Sequence, residues 1–117
     1  MIAYSIVIST YNQKGTIGKI LDSLANQITS PKIFEVIITD DCSTDGTDQL
    51  IRKVKFPIFL KYIRSQKSEG RAKNRNKGFE KAVGNWVIFL DGDMVPDLNF
   101  ISFYMTAWTS DTAPVYI

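Results

Sequence analysis

Two aspartates, Asp91 and Asp93, separated by Gly92, follow directly on the apolar run WVIFL at residues 86–90. Carboxylates one residue apart at the end of a buried strand can both reach one hard cation, and the glycine between them lets a ligand or backbone come close. Magnesium or manganese held this way keeps positions for phosphate oxygens and neutralises charge building on a departing diphosphate. The same pattern also arises as a turn closed by Asx hydrogen bonds, so the metal reading draws its weight from the apolar run before it. A second pair, Asp40 and Asp41, ends the run FEVIIT and precedes the cluster Cys42-Ser43-Thr44-Asp45-Gly46. Ser43, Thr44 and Asp45 suit helix capping, Asp45 best of all, which leaves one of the pair to accept hydrogen bonds from a base or ribose. A third polar group, Thr10-Tyr11-Asn12, follows the run at residues 3–9.

What is missing narrows the chemistry further. The chain has no histidine, which removes Ser-His-Asp and Cys-His hydrolysis and His-based acid/base catalysis from its repertoire. Cys42 is the single cysteine, so no internal disulfide forms; this suits a reducing, cytoplasmic setting. No glycine-rich turn follows the first strand and there is no P-loop, against a dinucleotide-binding oxidoreductase or a P-loop NTPase. Chemistry here falls to carboxylates, Lys/Arg, hydroxyls or an oxygen-held metal.

These groups need a scaffold that brings them to one rim. The 117 residues are enough for one domain, and 44% hydrophobic with 22% charged residues is an ordinary globular composition. Strand-like runs at 3–9, 34–39, 58–63 and 86–90 alternate with helical periods: Ile17, Ile20, Leu21, Leu24, Ala25 and Ile28 up to Ser30-Pro31, then 47–54, 71–83 after Gly70, and 97–108. Pro57 breaks the chain before the third strand, and Phe100, Ile101, Tyr104 and Trp108 share a side of the last helix. The alternation predicts an α/β fold, a Rossmann-like and mostly parallel sheet flanked by helices. In such sheets ligands bind outside the carboxyl ends of the strands, where all three polar groups lie.

Charge is distributed in blocks. Residues 52–83 carry eleven cations and two carboxylates, whereas residues 84–117 carry no cation and four carboxylates. A solvated helix face, a phosphorylated ligand or an acidic membrane surface each accounts for the basic block, and the acidic flanks argue against a nucleic-acid face. In the third helix Ala72, Phe79, Ala82 and Val83 form the expected apolar stripe, with Arg75 and Asn76 on or beside it and Lys73 and Lys77 exposed. Arg75 reads either as an ion-pair partner of the aspartates or as a ligand for a phosphorylated substrate.

SIVISTYN at 5–12, EVIITDDCSTDGT at 35–47 and GRAKNRNKGFEKAVGNWVIFLDGDMV at 70–95 together resemble the nucleotide-sugar-binding part of family 2 glycosyltransferases of the GT-A fold. The resemblance covers nearly the whole chain, departing at Cys42, where the family usually has glycine, and at Ser9, where it often has proline. It implies inverting transfer of a sugar from a nucleoside diphosphate, UDP first among the candidates, to a glycan, lipid or protein acceptor with the help of a divalent cation. Carried over by position, Thr10 and Tyr11 would line the nucleoside pocket and Asp41 would bind the base. Arg75 and Asn76 match the family's arginine-asparagine pair beside the donor, and Arg71 lies where some members contact a donor phosphate. Asp91 would face the ribose or diphosphate, and Asp93, with Asp91, the metal. The whole chain, 1–117, then reads as the donor-binding domain. The acceptor part and the general base are expected beyond Ile117, since Asp97 and Asp111, the carboxylates after Asp93, do not sit in the family's context for that base. The rival readings are a truncated module that binds nucleotide sugars without turnover, and a haloacid-dehalogenase-like phosphatase using the Asp-x-Asp pair. The expected location is cytoplasmic, with peripheral association at the inner membrane face as a possibility.

Overall fold

A computed structural model describes residues 2–28, 33–56 and 59–107. Ser30-Pro31, Pro57, Ile58, Trp108 and Asp111 lie outside the described residues. Four strands, β1 (Tyr4–Thr10), β2 (Phe34–Asp40), β3 (Phe59–Arg64) and β4 (Trp86–Asp91), alternate with α1 (Lys14–Ala25), α2 (Thr47–Lys53), α3 (Arg71–Lys81) and α4 (Phe100–Ala107). The strands form one parallel sheet in the order β3-β2-β1-β4. The sequence predicted this architecture, because strands covered on both faces read as continuous apolar runs.

Alternation along each strand divides the core in two. Ile6, Ile8, Phe34, Val36, Ile38, Ile88 and Leu90 face Ile17, Ile20, Leu21 and Leu24 of α1, Ile51 of α2, and Ile101 and Tyr104 of α4. Val7, Ile37 and Val87 lie on the opposite face, the side covered by α3. On that second face Glu35 is buried opposite Ser5 in the register. Its carboxylate accepts the Ser5 hydroxyl at 2.6 Å and the Val83 N–H at 2.8 Å, and pairs with Lys61 at 3.0 Å. Burial raises its pKa, but those donors together outweigh burial and hold it below the ordinary 4.5.

Two helices differ from the periodicity. The apolar repeat of the first runs to Ile28, yet α1 stops at Ala25 and Ile28 is exposed, its N–H donating to the Leu98 carbonyl. Of the stripe expected for α3 only Ala82, at the helix end, packs against Val7, Ile37 and Val87: Ala72, Phe79 and Val83 are exposed, and the buried residues of the helix are Asn74 and Gly78. The cause is closeness to the sheet. A Cβ on Gly78 would lie 2.4 Å from Val7 Cγ1 and 2.9 Å from Thr39 Cγ2, so only a glycine lets the helix sit this low. Phe79 is turned to the flank, where it stacks on Phe89 with ring centroids 6.3 Å apart.

Candidate functional site

From β1 the sheet grows in both directions, to β2 on one side and β4 on the other, which creates a topological switch point at the carboxyl ends of β1 and β4. A cleft of about 370 Å³ opens there. Of the residues singled out from sequence, Thr10, Tyr11, Asp41, Arg71, Asp91 and Asp93 line it; Arg75 and Asn76 do not. Parallel register explains the convergence: Ser9 pairs with Asp91 and Thr10 with Asp40, so three strands end on one level.

The β1–β4 side of the cleft is closely packed. Thr10 is buried and donates its hydroxyl to Gln13 Oε1 at 2.8 Å, whereas Tyr11 stands half exposed over the opening. Gly92 donates its N–H to the Ser9 carbonyl at 2.9 Å, and a Cβ there would lie 2.2 Å from Gln13 Oε1 and 2.8 Å from Thr10 Oγ1. The glycine between the two aspartates is thus required for packing under the cleft floor. Asp91 and Asp93 are both exposed, and neither carboxylate has a hydrogen bond or ion pair among the described residues. No three His, Cys, Asp or Glu side chains cluster as metal ligands among the described residues. Two free carboxylates do not make a closed protein cage, but they fit a hard cation that completes its shell with water and ligand phosphate oxygens.

The two members of the second carboxylate pair have different jobs. Asp40 is fully buried and accepts the Ser43 N–H at 2.9 Å, the Ser43 hydroxyl at 2.5 Å and the Tyr62 hydroxyl at 2.6 Å. Burial, followed by this bond to a carboxylate, pushes the Tyr62 phenol well above its ordinary range. Ser43 in turn accepts the Asn12 N–H at 2.8 Å, and Asn12 Oδ1 accepts the Thr44 N–H at 2.7 Å. The loops after β1 and β2 are therefore tied to one buried carboxylate. Each loop turns through a left-handed residue, Asn12 at φ 51° and Cys42 at φ 68°. Asn commonly adopts this conformation; for Cys it is uncommon. The expected capping role of Asp45 is shifted by one residue: Gly46, left-handed at φ 96°, is the N-cap of α2, and Asp45 before it accepts the Thr47 N–H and hydroxyl and the Lys14 N–H at 3.0 Å.

Asp41 faces the cleft but is also engaged. It accepts the Ser68 hydroxyl at 2.8 Å, the Glu69 N–H at 2.7 Å and the Gly70 N–H at 3.2 Å. Burial works to raise its pKa, and the Glu69, Ser68 and Gly70 bonds more than reverse this, with the Lys77 charge adding to the downward shift. Asp41 is consequently an anion held in place, with acceptor capacity left on Oδ1.

Helix α3 contributes differently from expectation. Arg71 lines the cleft. Arg75 pairs with none of the aspartates among the described residues; its guanidinium lies over the Phe89 ring, 4.5 Å from the centroid. Asn76 is exposed on the outer side, whereas Asn74 is buried and lines the cleft. Asn74 Nδ2 donates to the Thr39 carbonyl at 2.8 Å, which fixes the amide, and its Oδ1 is buried without a partner among the described residues. Sequence reasoning missed Asn74 and Gln13. For Asn74 the usable signal was its spacing of four from Gly78, which puts both on the sheet-facing side; nothing local marked Gln13.

Comparison with known proteins adds an independent line. The family model described as glycosyl transferase family 2 matches residues 5–114. Poly(ribitol-phosphate) beta-N-acetylglucosaminyltransferase TarS of Staphylococcus aureus is 38% identical over 94 residues, which cover 80% of this chain and 16% of TarS. The putative teichuronic acid biosynthesis glycosyltransferase TuaG of Bacillus subtilis is 37% identical over 92 residues, 76% of this chain and 35% of that protein. Crystallised S. aureus TarS 1-349 in complex with UDP-GlcNAc superimposes with a TM-score of 0.84 at 32% identity, over 90% of this chain and 30% of that one. The mannosyltransferase PcManGT of Pyrobaculum calidifontis, in complex with GDP-Man and Mn2+, gives 0.83 at 25% identity, over 92% and 32%. The chain thus spans between about a sixth and about a third of the length of these proteins. With a family match that runs over almost every residue and a sheet shared with these enzymes, this chain belongs to glycosyl transferase family 2.

Proposed function

We propose that the chain is the donor-binding domain of a metal-assisted, inverting glycosyltransferase that takes a nucleoside-diphosphate sugar, a UDP-sugar in the first instance. The observation that carries this reading is the meeting of Asp91 and Asp93, two carboxylates without a partner among the described residues, with Arg71 and the anchored Asp41 in one cleft at the switch point. Relatives solved in complex with UDP-GlcNAc and with GDP-Man and Mn2+ share the fold, which supports a nucleotide-sugar ligand and a divalent cation.

In this reading the nucleoside rests against Thr10 and the half-exposed Tyr11 ring, and the free acceptor position on Asp41 takes an N–H from the base. Asp93, with Asp91 beside it, would hold the cation, whose charge would offset the negative charge gathering on a departing diphosphate. Arg71 adds a guanidinium on the same side for a phosphate oxygen. Arg75 supports the site indirectly by bracing β4 through Phe89. The acceptor hydroxyl, on a glycan, lipid or protein, loses its proton to a base outside the cleft residues. The carboxylates that line the cleft are already assigned, and Asp97 lies apart from it with Oδ1 accepting the Leu98 N–H. That arrangement also favours a second reading, a binding module without turnover. Among the described residues no helix is long and apolar enough to cross a membrane.

Calorimetric titration of UDP and GDP with and without manganese tests the site. Manganese-dependent binding that Asp93→Ala abolishes is expected; absence of any nucleotide binding, or binding indifferent to Asp93→Ala, refutes it. Donor hydrolysis and transfer assays on this chain beside a longer form separate the enzyme from the binding module.

A further inference from the structure

The basic segment contains one cation whose surroundings do not match its sequence environment. Lys77 has polar neighbours along the helix and reads as exposed, yet its side chain is about one-third exposed and reaches back over the loop that precedes α3. Its ammonium donates to Ser65 Oγ at 2.7 Å and forms an ion pair with the Glu69 carboxylate. Ser65 and Glu69 stand near the two ends of the 65–70 loop, so one ammonium closes it. The loop is also anchored at both ends, to Asp40 at the end of β2 and to Asp41 just after it. Buried Ser65 donates its N–H to the Asp40 carbonyl at 2.9 Å, and the N–H groups of Glu69 and Gly70, with the Ser68 hydroxyl, all end on Asp41.

We propose that Lys77 is a positioning residue for nucleotide binding: it clamps the 65–70 loop so that three donors hold the Asp41 carboxylate in its cleft-facing orientation. This rests on the reading of the cleft as a nucleotide site. The physical reason is that a carboxylate at a cleft edge has free rotation about χ2, and three converging donors remove that freedom before a ligand arrives. Glu69 and Gly70 keep their N–H groups aimed at Asp41 only while the loop is closed. Without Lys77, Glu69 keeps no ion pair among the described residues, only the weaker Coulomb attraction of Lys73 and Lys67, and Ser65 Oγ loses the ammonium donor. Three other lysines lie in or near the loop in sequence, at 61, 67 and 73; Lys61 is committed to Glu35, and neither Lys67 nor Lys73 forms an ion pair among the described residues.

Three measurements test the proposal on Lys77→Met, Lys77→Arg and Glu69→Gln. Amide hydrogen exchange reports the loop without any ligand: Lys77→Met is expected to accelerate exchange at Glu69 and Gly70 selectively, leaving the β1 and β2 amides protected. UDP titration in the presence of manganese is expected to weaken about tenfold in Lys77→Met, the scale typical of residues that orient a ligating group. Lys77→Arg, which keeps the charge and the donors, is expected to restore most of the affinity, and Glu69→Gln to fall in between. In an Asp41→Asn background the Lys77→Met loss is expected to vanish, because a loop that acts only through Asp41 has nothing left to orient. Unchanged exchange at Glu69 and Gly70, or full affinity in Lys77→Met, or a loss that adds fully to that of Asp41→Asn, overturns it. If Lys77→Met does not fold, Glu69→Gln carries the same comparison. A wild-type chain that binds no nucleotide refutes the donor-site reading, and the exchange experiment still decides whether Lys77 closes the loop.

Discussion

Replacing Gly78 by alanine sets two effects of known sign against each other. In an exposed helix, Gly→Ala stabilises by about 1 kcal/mol because the unfolded glycine has more freedom to lose. Here the added methyl would lie 2.4 Å from Val7 Cγ1 and 2.9 Å from Thr39 Cγ2. Both contacts are far inside van der Waals range, and both partners are fully buried in β1 and β2, the two inner strands, so neither can swing aside. Overpacking of this kind costs about 1–3 kcal/mol, and with two immovable contacts the upper end applies. The balance is a loss of about 2 kcal/mol, which corresponds to a fall in Tm of about 4 °C or more per kcal/mol in a small domain. Relief comes from lifting α3 off the sheet. That stretches the Asn74 bond to the Thr39 carbonyl and moves Arg71 and Lys77, so nucleotide affinity drops along with stability. Thermal and urea denaturation followed by circular dichroism, with UDP titration on the same samples, reads both effects. A Tm equal to or above that of the wild type would mean that α3 does not seat on the sheet through Gly78.

Three further perturbations follow from the hydrogen-bond network. Glu35 has a depressed folded pKa, so its contribution is complete above its ordinary value of 4.5 and is lost as pH falls through the lower folded value; the urea midpoint should therefore decline on acidification, and less steeply in Glu35→Gln. Tyr62→Phe removes the hydroxyl that donates to buried Asp40 and should cost about 1–3 kcal/mol in chemical denaturation, the usual penalty for an acceptor losing a buried partner. Cys42→Gly should raise stability by up to about 1 kcal/mol, since relief of the left-handed backbone outweighs the added freedom of the unfolded chain; a decrease would point to the Sγ contacts with the Gln66 carbonyl and Arg64 as the stronger term.

Much of this protein could be read along the chain. Four apolar runs ended by polar groups determined the sheet and the rim at which Thr10, Asp41, Asp91 and Asp93 meet, because a strand buried on both faces leaves a continuous apolar signal and stops where polar residues begin. The motifs at 5–12, 35–47 and 70–95 determined the family. What α3 presents to the sheet was decided only by the folded molecule. Periodicity gives Phe79 and Val83 the inward face, but the distance between helix and sheet admits only Gly78 and Asn74, and that distance is a property of two elements packed together. The basic block shows the same limit. Lys61, Arg64, Lys77, Arg52 and Arg75 look alike as residues in a charged stretch, yet they meet a buried carboxylate, a loop carbonyl, a loop clamp and two aromatic rings respectively. Long flexible cations take their roles from whatever lies within reach after folding, and those partners come from 14 to 26 residues away for Lys61, Arg64 and Arg75.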